Sequence, residues 1–264
     1  MVTSQDFPAA DGLKPTSPGI TIQAVKEETV PNVGLTPVTT GTSEEYIRGL
    51  AQASSRACAS DPLNILFESE KLPQPLRQGE SLSKETIQQM LYETAVKRLT
   101  AKIANGAFIA EAGNFAAVSC WEPESIHEEP RKDVSIEHVR ASGNRPIFAE
   151  FLEKSDAVKQ AHLRSLAEKM SPDGRFWHLS MMARDPSVPY VKGAVRAVLV
   201  PFVQRFTSPD ADGGPVPVWL EAGSERSRAV YAHLGFSEIG AWEAGGVKNW
   251  GMIYVGESKP DLRG

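Results

Sequence analysis

The stretch that decides the fold begins Phe176-Trp-His-Leu-Ser-Met-Met182-Ala-Arg-Asp-Pro186 and passes through Ser187-Val-Pro-Tyr-Val-Lys-Gly193 into Ala194-Val-Arg-Ala-Val-Leu-Val-Pro-Phe-Val203. It resumes as Pro217-Val-Trp-Leu-Glu-Ala222 and closes with Gly223-Ser-Glu-Arg-Ser-Arg-Ala-Val-Tyr-Ala-His-Leu-Gly-Phe236. The run from Arg175 to Met182 reads as a buried strand, Ala194 to Val203 as a helix, Pro217 to Ala222 as a second strand, and the last run as a helix ended by a glycine C-cap. A strand leading through a turn into a helix leaves backbone N–H groups unsatisfied at the positive end of the helix dipole, a site suited to a pyrophosphate.

Outward from this stretch, Phe236 to Trp242 and Lys248 to Val255 flank Gly245-Gly246 and read as a closing antiparallel hairpin. Upstream, Pro146 to Met170 reads as helical, and the charged, proline-containing run from 123 to 145 as a surface insertion, so the insertion as a whole spans about 123–170. Ala107 to Ala110 and Phe115 to Trp121 form a hairpin turned by Gly113-Asn114 and ended by Trp121-Glu-Pro123. A long helix opens at Ser83 and stops at Asn105-Gly106, with Ile87, Leu91, Ala95 and Leu99 at helical spacing. A shorter one has Asp61 as N-cap and Pro62 in its first turn, and another starts at Ser43. Leu35 to Val38 reads as a short edge strand. Residues 1–34, crowded with Pro, Thr, Ser and Gly, read as a disordered extension to a domain over 35–264.

Apolar residues at 41% and charged residues at 23% are ordinary for a globular chain of 264 residues. The net charge of −5 gives no electrostatic footprint for nucleic acid or an anionic membrane. Cys58 and Cys120 lack metal-ligand spacing, and the histidines at 127, 138, 162 and 233 have no partner spacing either, so no metal is expected. Asp6, Pro8 and Asp11 stand where a secretory signal would place an apolar run, and no segment approaches a span of ~18 apolar residues, so a cytoplasmic protein without membrane contact is the expectation.

The Trp-Leu-Glu-Ala strand, the short polar turn and the Val-Tyr-x-x-Leu-Gly-Phe helix end resemble the GNAT superfamily of N-acetyltransferases, of the small-molecule type. The likeness covers about residues 176–255, and the hairpin at 107–121 fits that family's second and third strands. It implies an α/β (α+β) fold with a mixed, mostly antiparallel sheet flanked by helices and splayed fourth and fifth strands. The family's phosphate turn, Gln/Arg-x-x-Gly-x-Gly/Ala, superposes best on Tyr190-x-x-Gly193-x-Val195, where only the central glycine is kept.

The resemblance implies an acetyl-CoA-dependent N-acetyltransferase in which a primary amine of a small molecule attacks the thioester directly in a ternary complex. Backbone groups near Met182 and Arg184 would pair the pantetheine, and Val191, Lys192, Gly193, Ala194, Val195 and Arg196 would hold the phosphates. Tyr231 takes the place of the family's phenolic acid. His178 is the candidate base, with Ser180 two residues on along the same strand face. Glu221 reads first as a pairing or capping carboxylate, and Glu111 and Trp121 as hairpin surface and packing. The departures at 190 and 195 keep a second reading open: a GNAT-shaped protein that no longer uses acetyl-CoA, serving as a ligand-binding module or as an enzyme for another reaction.

Overall fold

The computed structural model describes residues 36–72, 81–128 and 136–256; the extension read over 1–34 lies outside them. Strand β1 covers Val38–Gly41, three residues later than the sequence reading, and pairs antiparallel with β2, Phe108–Ala112. Helix α1 (Glu44–Cys58) follows Ser43, and α2 (Pro62–Ser69) starts at Asp61, whose carboxylate accepts from the Asn64 amide. In α3 (Lys84–Ala104) the Ser83 hydroxyl caps the Thr86 amide. Each start lies where Ser or Asp precedes an apolar periodic run; at Asp61 and Ser83 the side chain satisfies an amide that the first helical turn leaves open, whereas Ser43 makes no side-chain cap bond.

Strand β3 (Ala117–Ser125) continues four residues past Trp121, where the sequence reading ended it. Its pairing with β2 stops at Phe108 opposite Trp121, so beyond that point β3 is paired only with β4 (Arg175–Arg184). Pro123 therefore lacks an amide on an edge that needs none.

The segment read as an insertion is a helical layer docked on the sheet. Helix α4 (Ile136–Ser142) leads to α5 (Pro146–Val158), a π-helical turn (Lys159–Leu163) and α6 (Arg164–Met170). The Glu70 carboxylate accepts from the Ile147 and Phe148 amides at the start of α5, and Lys154 donates to the Glu243 carbonyl. Val158 lies against Gly240 and Gly251; a Cβ at Gly251 would come within 2.3 Å of the Trp219 ring and 3.0 Å of Val158. Those two strand glycines provide the flat surface on which α5 sits.

The helix read over 194–203 is two: α7 (Ala194–Ala197) and α8 (Val200–Thr207). Pro201 has no amide for a continuous ladder, and its ring would clash with the carbonyl four residues earlier, so the chain restarts with the proline in the first turn of α8. After β5 (Val218–Ala222), α9 (Glu225–His233) begins at a Ser224–Ser227 capping box. Strands β6 (Ser237–Ala244) and β7 (Val247–Tyr254) form the closing hairpin around Gly245-Gly246, both with positive φ.

The seven strands order as β1-β2-β3-β4-β5-β7-β6, antiparallel throughout except for β4 beside β5. One face is covered by α7, α8 and α9 over a single apolar core that includes Phe108, Trp121, Leu179, Phe202, Leu220 and Tyr231. The opposite face carries α1 and α3 over Ile109, Val118 and Cys120, and α5 to α6 over Phe176, Trp219 and Trp242. No helix among the described residues is long and apolar enough to cross a membrane.

Candidate active site at the parting of two strands

Pairing of β4 with β5 extends over only two residue pairs, Trp177 with Val218 and His178 with Trp219. Beyond His178 the two parallel strands separate. The fourth strand also carries a bulge: Cys120 lies opposite Met181 and Trp121 opposite Leu179, which leaves Ser180 as the extra residue. A bulge interrupts the two-residue alternation of a strand. Trp177 and Leu179 accordingly face the α8 side, whereas Met181 and Ala183 face α1. The break in alternation falls after Ser180, so it lies downstream of His178. The Ser180 hydroxyl is buried beside the Cys120 thiol and has no nitrogen or oxygen partner among the described residues.

His178 stands at the vertex where the strands part. Its Nδ1 is 2.7 Å from Glu124 Oε1 on β3, and its Nε2 is 2.8 Å from Glu221 Oε2 on β5. Glu221 also accepts from the Ser155 hydroxyl of α5 and from Trp219 Nε1. Two carboxylates, one at each ring nitrogen, are both satisfied only by an imidazolium with two N–H donors. Burial lowers the proton affinity of this ring, but Glu221 and Glu124 more than reverse that, raising its pKa from 6.5 to about 9. The same pairing outweighs the opposing effect of burial on Glu124, whose pKa falls to about 2, and holds Glu221 lower still. As a base, His178 thus has no free lone pair at neutral pH; it gains one when the second ring proton leaves.

Two further cations complete the cluster. The Lys159 ammonium, on the first residue of the π-helical turn, is 4.0 Å from Glu124 Oε2. Lys102 of α3 pairs with Glu122 in the interior. Glu122, Glu124 and His178 place three potential metal-ligand atoms within 4.8 Å of one another. Lys102 already neutralises Glu122, and both His178 nitrogens are engaged by carboxylates, so the donor set is already satisfied without a cation.

Tyr231, on the opposite side, is 6% exposed and packs edge-on to Phe236. Burial, with a smaller contribution from nearby Cys58, pushes its phenol pKa above the ordinary value. The phenol therefore stays protonated through the physiological range.

In the turn after β4, Gly193 has φ 83°, a left-handed conformation that favours glycine, and directly precedes α7. The Lys192 carbonyl is held by the Thr36 hydroxyl at 2.7 Å, and Asp185 anchors the start of the turn through Arg56 at 2.7 Å. Val195 and Val191 pack against the apolar core, while Lys192 and Arg196 are exposed. Met182 packs against the same core, and Arg184 is exposed, its guanidinium 5.7 Å from the centre of the Tyr190 ring. Ala194 is buried, so its contribution to the turn is its backbone.

The structure brings His178 together with Glu221, which the sequence reading took as a pairing carboxylate, and with Glu124 and Lys159, which that reading passed over. Glu124 was hidden by the assumption that Pro123 ends the strand. Its signal was the alternation of Val118, Cys120, Glu122 and Glu124 along one strand face. Lys159 had no comparable signal.

No protein-family model and no curated protein matches this sequence. Solved structures do. An agmatine N-acetyltransferase variant in its apo form superposes with TM-score 0.53 at 12% identity, over 82% of this chain and 98% of that one. A mosquito arylalkylamine N-acetyltransferase-like protein gives TM-score 0.52 at 11% identity, over 82% and 99%. A Drosophila melanogaster polyamine N-acetyltransferase that forms N-acetylagmatine gives 0.50 at 13%, over 82% and 99%. The mixed seven-stranded sheet, its one parallel pair that parts beyond His178, and these likenesses together establish that this chain has the GNAT fold of the N-acetyltransferases.

Proposed function

We propose that this chain transfers the acetyl group of acetyl-CoA to a primary amine of a small molecule, by direct attack in a ternary complex. The observation that carries the reading is the parting of β4 from β5 directly beyond His178 and Trp219, which leaves the later part of β4 unpaired by β5 beside the His178 ring. The residues present suit acetyl-CoA. Gly193 opens the turn, Val195 turns its side chain into the core, and the Ser180 hydroxyl lies in the β4 bulge. Backbone near Met182 and Arg184 would pair the pantetheine, and the turn from Val191 to Arg196 would meet the phosphates, with Lys192 and Arg196 supplying positive charge.

When the amine attacks the thioester carbonyl, a C–N bond forms, the C–S bond breaks, and one proton leaves the nitrogen while the sulfur gains one. His178 receives the proton once it has given up its second ring proton. Its pKa of about 9 lies close to the ~10 of a primary alkylammonium, so the transfer is nearly balanced in energy. Glu124 and Glu221 then hold the imidazolium. Tyr231, kept protonated by burial, donates to the departing sulfur.

Calorimetric titration with acetyl-CoA and with free CoA tests the reading, followed by amine screening that monitors thiol release. Micromolar binding and turnover of at least one small amine are expected. Absence of binding to either would favour the second reading, a GNAT-shaped protein that does not use acetyl-CoA, for which the exposed Tyr190 in the altered turn speaks.

A further inference from the structure

Lys159 is the first residue of a π-helical turn, closed by the Arg164 amide donating to the Lys159 carbonyl. Such a turn interrupts regular α-helical packing and is found often at functional sites. Just before it, Val158 is pressed against Gly240 and Gly251, which fixes where the turn begins. The Lys159 ammonium is thereby delivered to Glu124 Oε2 at 4.0 Å, while the other oxygen of the same carboxylate is 2.7 Å from His178 Nδ1. One carboxylate is shared by two cations.

We propose that Lys159 is a positioning residue of the site: by sharing Glu124 with His178, its ammonium sets how firmly the two carboxylates retain the ring proton. The inference rests on the acetyltransferase reading for its kinetic consequence but not for its structural one. The charged groups around His178 are Glu122 and Glu124 from β3, Glu221 from β5, Lys102 from α3, Asp156 from α5 and Lys159 itself. Counting Glu122, Glu124 and Glu221 against Lys102, Lys159 and protonated His178, the inner cluster is neutral. Without Lys159 it carries one excess negative charge, and an excess negative charge beside an imidazolium makes its proton harder to remove.

The test is the NMR titration of the His178 ring in the full chain, with Lys159→Met, Lys159→Arg and Glu124→Gln. Lys159→Met keeps the aliphatic stem and is expected to move the His178 titration upward by about one pH unit, the scale of a single neighbouring charge. Lys159→Arg should restore the original value, and Glu124→Gln should move it downward. Once an amine substrate is in hand, the rising limb of kcat/KM against pH should shift with the ring, whereas acetyl-CoA affinity by calorimetry stays constant. An unchanged His178 titration in folded Lys159→Met would overturn the proposal, as would a downward shift. Should Lys159→Met fail to fold, an unchanged or upward titration in Glu124→Gln would overturn it. Failure to find any substrate would count against the acetyltransferase reading and leave the ring titration to decide this one.

Discussion

The two faces of the sheet hold their proton-carrying side chains by opposite means. On the α7–α9 face, Tyr231 lies in an apolar core and keeps its proton because burial disfavours the phenolate. On the α5–α6 face, burial acts against the charge on His178, and two carboxylates override it. Both groups are protonated near neutrality, one uncharged and one cationic. The lesson is that the two faces of one sheet can raise two pKa values through desolvation in one case and ion pairing in the other, and the two causes respond differently to mutation, pH and salt.

The largest expected effect breaks the apolar side. Tyr231→Phe should lower kcat by about 10²–10³-fold, the range for loss of a positioned acid, with little change in stability; steady-state kinetics across pH checks it. Unchanged turnover would remove the phenol from the mechanism.

Next, His178→Gln breaks the charged side. It leaves Glu124 and Glu221 with Lys159 as their remaining cation, and removing one member of a buried pair costs about 3–5 kcal/mol. Glu124 is about a third exposed, so the lower end of that range is expected in urea unfolding. The pH dependence of stability separates the faces further. His178 has a folded-state pKa raised from 6.5 to about 9, so its contribution is complete below 6.5 and is lost as the pH rises through 9. Glu124 is depressed to about 2, so its contribution is present above 4.5 and lost as the pH falls toward 2. Tyr231 contributes no pH dependence until above pH 10. The melting temperature should therefore fall between pH 7 and 9.5 in the native chain and stay level in His178→Gln.

A smaller effect tests what holds the charged face together. Gly251→Ala would push a methyl into Trp219 and Val158, displacing the α5 layer that carries Ser155 and Lys159. A destabilisation of about 1–3 kcal/mol is expected, with His178 titrating over a broader range. The smallest is Gly193→Ala, which places a Cβ at φ 83° and should cost about 1 kcal/mol while weakening CoA binding measured by calorimetry.

The sequence by itself determined the helix starts at Ser43, Asp61 and Ser83, the closing hairpin, and the order of strand, turn, helical segment, strand and helix from 175 to 233, though not the division of that helical segment into two at Pro201. These depend on local chemistry: a capping side chain, a glycine turn, an apolar period. It also marked His178 and Tyr231, because both stand within that ordered run. Only the tertiary structure decided that β3 continues through Pro123, that Ser180 is the bulged residue, and that Glu124, Glu221 and Lys159 converge on one imidazole. Edges, bulges and ion pairs depend on what lies across the gap. Residues 124, 159, 178 and 221 are far apart along the chain, and no periodicity within one segment carries information about which segments will be neighbours.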